Sequence, residues 1–235
     1  KEAYDDAKMR LFKLIPPEYV ERLNFEIIVQ GGDVRDEILG IVQDKDADLV
    51  IMGSHGRAYF GRLLLGSVTE RMLRRLQVPI LTVSHLSPER EIQKPGTILI
   101  RRILYATDLS DGSEAGLEFS IRLASGLHAE LTVVHVLEPA PLALGGVETG
   151  TYVPDYADEV RAQVDGRLRQ SVAEFADVRP AITTLLVEGV PCERIERAAQ
   201  DNNADLIVMN LQHKGMLERA LLGTTAERLV RTSRV

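Results

Sequence analysis

Two glycine clusters define the chemistry open to this chain. Gly53-Ser54-His55-Gly56 directly follows an apolar run, Leu49 to Met52, and Gly66-Ser67-Val68 stands nine residues after Gly56. The second cluster opens a segment with Met72 and Leu76 at helical spacing. Glycine where a strand turns lets the backbone approach a ligand, because no Cβ intervenes. A Gly-Ser pair entering a helix presents backbone N–H groups and the positive end of the helix dipole, a combination suited to phosphate. Open α/β sheets place ligands at the carboxyl ends of their strands, which is where both clusters fall. From spacing alone, the same glycines serve equally well as turn and cap residues.

Other chemistries find less support. No G-x-x-x-x-G-K-[ST] loop and no G-x-S-x-G elbow occurs. His55, His85, His128, His135 and His213 are scattered, so no zinc site is expected. Asp44, Asp46 and Asp48 lack the turn glycine and ligating glutamate of a calcium loop; Asp201 and Asp205 repeat two of them, which marks a helix exit before a strand. Cys192 is the single cysteine, which rules out an internal disulfide and reads as a packed residue at a helix start. Arg71, Arg74 and Arg75 fall at a helix end, where the dipole favours a solvated basic face. Tyr59-Phe60 reads as packing over the loop, and His55 and His213 as loop histidines. No general base stands beside a nucleophile, so catalysis is not expected, although slow hydrolysis by a bound water stays open.

The elements that position these residues come twice. A displacement of 157 positions brings Gly32 onto Gly189, Gln43-Asp44 onto Gln200-Asp201 and Ala47-Asp48-Leu49 onto Ala204-Asp205-Leu206. It also brings Leu64-Leu65-Gly66 onto Leu221-Leu222-Gly223 and Glu70-Arg71 onto Glu227-Arg228. The chain is therefore a tandem repeat. The second copy reads as strand 98–105, a turn cluster from Thr107 to Ser113, a helix through Phe119 and Leu127, and strand 131–136. A Gly/Pro-rich loop from 139 to 154 follows, then a helix with Val160, Val164, Leu168 and Val172 stepping by four. Strand 182–187, a helix opened near Pro191, strand 206–209 and a helix over 224–231 complete it. The first copy repeats the four-step stripe at Ala3, Ala7, Leu11 and Ile15, with strands expected at 25–29, 49–52 and 80–83. Alternating strands and helices mean a parallel sheet covered on both faces. The expected organisation is a first unit at 1–87 without its first strand, first helix and second strand, a linker at 88–96, and a second unit at 97–235 without its last strand. The chain is expected to be a fragment.

The 235 residues carry a net charge of −7, which argues against nonspecific nucleic-acid binding. Hydrophobic residues make up 45% and charged residues 27%, an ordinary balance for a soluble chain. No apolar run reaches the roughly 20 residues of a membrane helix and no signal peptide opens the chain, so a cytoplasmic protein is expected.

The pattern G-x-x-G, nine residues, then G-[ST] resembles the nucleotide-binding signature of the universal stress protein (UspA-like) family. Ala47 to Ser54, Val78-Pro79-Ile80 and Ile103 to Ser110 are similar to further landmarks of that family. The resemblance covers nearly the whole chain apart from linker and loop. It implies an α/β fold of two Rossmann-like (adenine nucleotide alpha-hydrolase-like) open parallel-sheet units, each of five strands. It also implies ATP or AMP, with or without Mg, lying across the strand ends. By carry-over, Gly53, Ser54, His55, Gly56, Arg57, Gly66, Ser67 and Val68 would form the phosphate side in the first copy. Ala106 and Asp108 would lie by adenine and ribose in the second, with Val134 on the neighbouring strand and Gly223-Thr224 as the surviving end of its motif. The units would pair through their last strands, within one chain or as a homodimer.

The second copy departs from the pattern, with Asn210 and His213 standing where the first two glycines belong. Their side chains would crowd the phosphate, although Asn tolerates left-handed backbone. The first copy is therefore the expected site, in a stress-response regulatory protein. The alternative is an interaction module that takes no nucleotide, such as a soluble tail of a transporter. An enzyme of related fold would need a catalytic signature that is not found.

Overall fold

A computed structural model describes residues 2–54, 65–83, 99–138, 154–175, 181–211, 224–233 and 235. The second copy builds its core from alternation along two central strands. β3 (Arg102–Thr107) and β4 (Glu130–Leu137) point Ile103, Tyr105, Leu131 and Val133 to one face, and Leu104, Ala106, Val134 and Val136 to the other. The first face is covered by α5 (Ser113–Leu127) and α6 (Pro154–Ala173), through Leu117, Ile121, Ala124 and Leu168. The second is covered by α7 (Pro191–Asp201) and α8 (Thr224–Thr232), through Cys192, Ile195, Ala198, Ala199 and Leu229. With β5 (Ile182–Glu188) and β6 (Leu206–Met209) the sheet runs in the order β5-β4-β3-β6, every pair parallel. Two-sided burial explains why these strands read as apolar runs.

Several buried polar groups of this unit are matched, while the buried Nε of Arg231 on α8 has no hydrogen-bond partner among the described residues. The fully buried Tyr105 donates its hydroxyl to the Ser113 carbonyl at 2.6 Å, and burial pushes its pKa up to about 12. Asp205 accepts from the backbone N–H groups of Arg101 and Arg102 at 2.8 and 2.9 Å, tying the entry of β3 to that of β6. Cys192 lies buried in the first turn of α7, and burial raises its thiol pKa.

The first copy contains α1 (Glu2–Phe12), α2 (Pro17–Val20), α3 (Val34–Asp44), β1 (Val50–Gly53), α4 (Ser67–Arg75) and β2 (Ile80–Val83). β1 and β2 pair in parallel, Val50 opposite Ile80 and Gly53 opposite Val83. Asp33 caps α3 by accepting from the Arg35 N–H, and the Arg35 side chain beside it holds the carboxyl well below the usual range. Residues 25–29, expected as a strand, form none. Their counterpart β5 owes its ladder to β4, and a β-strand exists only through its neighbour's hydrogen bonds. Phe25 lies against Phe12 at 6.2 Å between ring centroids, and both rings stay exposed.

The repeat is visible in the backbone. Asp46 and its equivalent Asn203 both take left-handed geometry, at φ 47° and 48°. The Glu70–Arg74 ion pair recurs as Glu227–Arg231. The copies touch where Leu65 and Leu73 of the first form a cluster with Ile80, joined by Leu211 and Val230 of the second. Linker 88–96 and loop 139–153 lie outside the described residues.

Candidate functional site

In the first copy the end of β1 is fastened to the start of α4. β1 terminates at Gly53, and the Ser54 N–H donates to the Val83 carbonyl at 3.0 Å. The Ser54 carbonyl in turn accepts from the Gly66 N–H at 2.9 Å. Thr69 adds a third tie, its Oγ1 donating to the Gly53 carbonyl at 2.8 Å, with Ser54 and Thr69 both buried. Gly66 is the N-cap of α4 and makes no side-chain cap hydrogen bond, while its carbonyl accepts from the Glu70 N–H at 2.9 Å. Among the described residues, the opening turn, Ser67 to Thr69, has no side-chain cap from its N-cap residue, and it sits beside the strand end. That arrangement suits an anion. His55, Gly56, Arg57 and Tyr59-Phe60 lie outside the described residues.

In the second copy the corresponding groups are engaged within the protein. Ala106 and Val134 are register partners on β3 and β4, both buried in the core under α7 and α8. Asp108 accepts through one oxygen from the Ser110 N–H at 3.1 Å and the Ser110 hydroxyl at 2.7 Å. Thr107 Oγ1 accepts from the Leu109 N–H at 3.0 Å, and Leu109 takes left-handed geometry at φ 56°. His135 Nδ1 lies 2.9 Å from the Thr107 carbonyl, and the Arg167 guanidinium donates to the Leu109 carbonyl at 3.1 Å. Asn210, at the position of Gly53, donates its side-chain amide to the Gly112 carbonyl and so crosses from the end of β6 to the entry of α5. Thr224 opens α8. Gly223, His213 and the Thr224 side chain lie outside the described residues.

The structure thus brings Gly53, Ser54, Gly66, Ser67 and Val68 together at one junction. It places Ala106, Asp108 and Val134 at another, in the other copy. The sequence profile of the universal stress protein family matches residues 11–84 and 99–235. The chain belongs to the universal stress protein family.

Relatives and solved structures agree with that assignment. The chain is 29% identical over 143 residues to universal stress protein MJ0531 of Methanocaldococcus jannaschii, covering 60% of this chain and 82% of that one. It is 26% identical over 193 residues to universal stress protein Rv2005c of Mycobacterium tuberculosis, covering 81% of this chain and 60% of that one, so the match spans less than two thirds of that relative. A universal stress protein from Archaeoglobus fulgidus has the same fold, with a TM-score of 0.68 at 23% identity, covering all of this chain and 77% of that one.

Two features of this universal stress protein escaped the reading of its sequence. Thr69 stands in a helical first turn where Thr would be taken as a filler, and its counterpart Ala226 carries no hydroxyl. The paired exchange of Gly53 for Asn210 and Thr69 for Ala226 between copies was the available signal. The second feature, the Asn210 bridge to Gly112, depends on a contact nearly a hundred residues away. Among the described residues, no group of three or more His, Cys, Asp or Glu is placed to hold a metal ion. Among them, no helix is long and apolar enough to cross a membrane.

Proposed function

We propose that this universal stress protein binds an adenine nucleotide, ATP or AMP, at the first copy and works as a regulatory protein of the cytoplasm. The observation that carries this reading is the β1–α4 junction, where Thr69 ties the Gly53 carbonyl, the Ser54 carbonyl accepts from the Gly66 N–H, and the N-cap Gly66 supplies no side-chain cap to the turn at Ser67 and Val68. Phosphate bound there meets the amide end of α4, and the strand ends beside it are the customary ligand position of open α/β sheets. The units are 1–87 and 97–235, joined by 88–96. Their association within the chain supplies the assembly that nucleotide would bias, by as much as it prefers one arrangement over another.

The second copy, in this reading, is a partner that takes up no triphosphate. Asn210 occupies the approach that Gly53 leaves open, and Asp108, which the family resemblance puts by the ribose, orders its own turn. These contacts also favour the competing account, an interaction module without nucleotide. Titration of the full chain with ATP and with AMP separates the two, run with and without Mg and alongside a Gly56→Val variant. Micromolar binding abolished by Gly56→Val supports the nucleotide reading. No binding and no thermal stabilisation with either nucleotide leaves the interaction module.

A further inference from the structure

The first copy does not hold its own α4 alone. Leu65, directly before Gly66, and Leu73, two turns into α4, are both buried. The residues that pack on them are Ile80 from β2 and, from the second copy, Leu211 and Val230. Leu211 directly follows Asn210, which is anchored to Gly112. Val230 adjoins Leu229, buried in the core between the second sheet and α7. A packed line therefore runs from the second core through Val230 and Leu211 to Leu65 and Leu73, and on through Gly66 to the Ser54 carbonyl. Close-packed apolar contacts of this kind transmit displacement instead of absorbing it.

We infer that the second copy is a buttress for the first copy's ligand junction, with Leu211 and Val230 as positioning residues that touch no ligand. The inference rests on the reading of the first copy as the nucleotide site. The direction is specific. Leu73 and Val230 are repeat equivalents, yet the second copy has Ala226 in place of Thr69 and Asn210 in place of Gly53, so the hydroxyl tie made by Thr69 belongs to the first copy alone. Preorganising an anion site by packing raises affinity by lowering the ordering cost of binding. By linkage, a nucleotide that favours the locked junction also tightens the contact between copies, by the same factor.

The test uses the full chain with Leu211→Ala, Val230→Ala and the double variant. ATP affinity is measured alongside amide hydrogen exchange at Ser67, Val68 and Thr69, with the amides of β3 and β4 as internal control. The expected result is ATP binding weaker by roughly tenfold, faster exchange at the start of α4, and unchanged exchange in β3 and β4. Exchanging the pair, Leu73→Val with Val230→Leu, keeps the contact volume and is expected to leave both readouts at their wild-type values. Unchanged affinity and unchanged α4 exchange in the double variant would overturn the buttress. If wild-type chain takes up no ATP, the nucleotide reading fails separately. The exchange arm then decides: faster exchange upholds the buttress, unchanged exchange overturns it.

Discussion

The two copies share a sequence pattern and differ in what covers it. Leu11 on α1 and Leu168 on α6 are equivalent positions of one apolar stripe, yet Leu11 is 42% exposed and Leu168 is fully buried. Leu168 packs beneath β3, β4 and α5, whereas α1 meets Phe25 and the segment around Gly31. On the α4 and α8 side the copies agree, with Met72 and Leu229 both buried. Backbone geometry set by local residues is repeated faithfully, as at Asp46 and Asn203. Burial is not, because it depends on elements distant in sequence. The functional contrast follows the same division: the first copy has the locked glycine junction on a sparse scaffold, and the second has a core on both faces of its sheet under a junction bridged by Asn210.

The largest expected effect separates the two cores. Leu168→Ala should cost about 2–5 kcal/mol by urea denaturation, the range for a buried leucine, while Leu11→Ala should stay below about 1 kcal/mol. Equal losses would show that α1 is covered as completely as α6. Thr69→Val is expected to cost about 1–3 kcal/mol, because it leaves the Gly53 carbonyl without its side-chain donor. The same variant should weaken nucleotide binding, whereas Ala226→Thr in the second copy should not create it. Retained binding in Thr69→Val would remove the lock from the account.

Tyr105→Phe is a smaller perturbation, about 1 kcal/mol for the lost bond to Ser113. Its pH dependence has a definite sign. A tyrosine whose folded pKa is raised contributes stability that is complete below its ordinary value near 10 and is lost as pH climbs through about 12. The gap between wild type and Tyr105→Phe should therefore narrow over that window in pH-resolved denaturation, and a gap constant to pH 12 would contradict the assigned burial. The smallest effect is expected from Asn210→Gly, about 0.5–1 kcal/mol for the lost exposed bond to Gly112. It should leave ATP stoichiometry at one per chain, since His213 still replaces the second glycine of that motif. A second ATP appearing in this variant would make Asn210 alone the residue that closes the second junction.

Much of this was legible in the sequence. The repeat, the parallel strands of the second copy, the helix starts at Pro191 and after Gly66 and the glycine junction all rest on local patterns of residue type. Residues 25–29 show the boundary: their apolar run is that of β5, but extended chain becomes a strand only with a ladder partner, and no local pattern reports one. Thr69 was hidden for a related reason, since its acceptor at Gly53 lies 16 residues earlier in the chain. Leu65 and Leu211 read as ordinary apolar residues beside a loop, and only their meeting reveals a contact between copies.

The central claim is that one copy of two holds the nucleotide. Isothermal calorimetry of the full chain with ATP tests it most directly, with Gly66→Val to obstruct the first junction and Gly223→Val to obstruct its equivalent. The account predicts one ATP per chain, abolished by Gly66→Val and unaffected by Gly223→Val. Two equivalent sites, or binding that survives Gly66→Val and disappears with Gly223→Val, would contradict it.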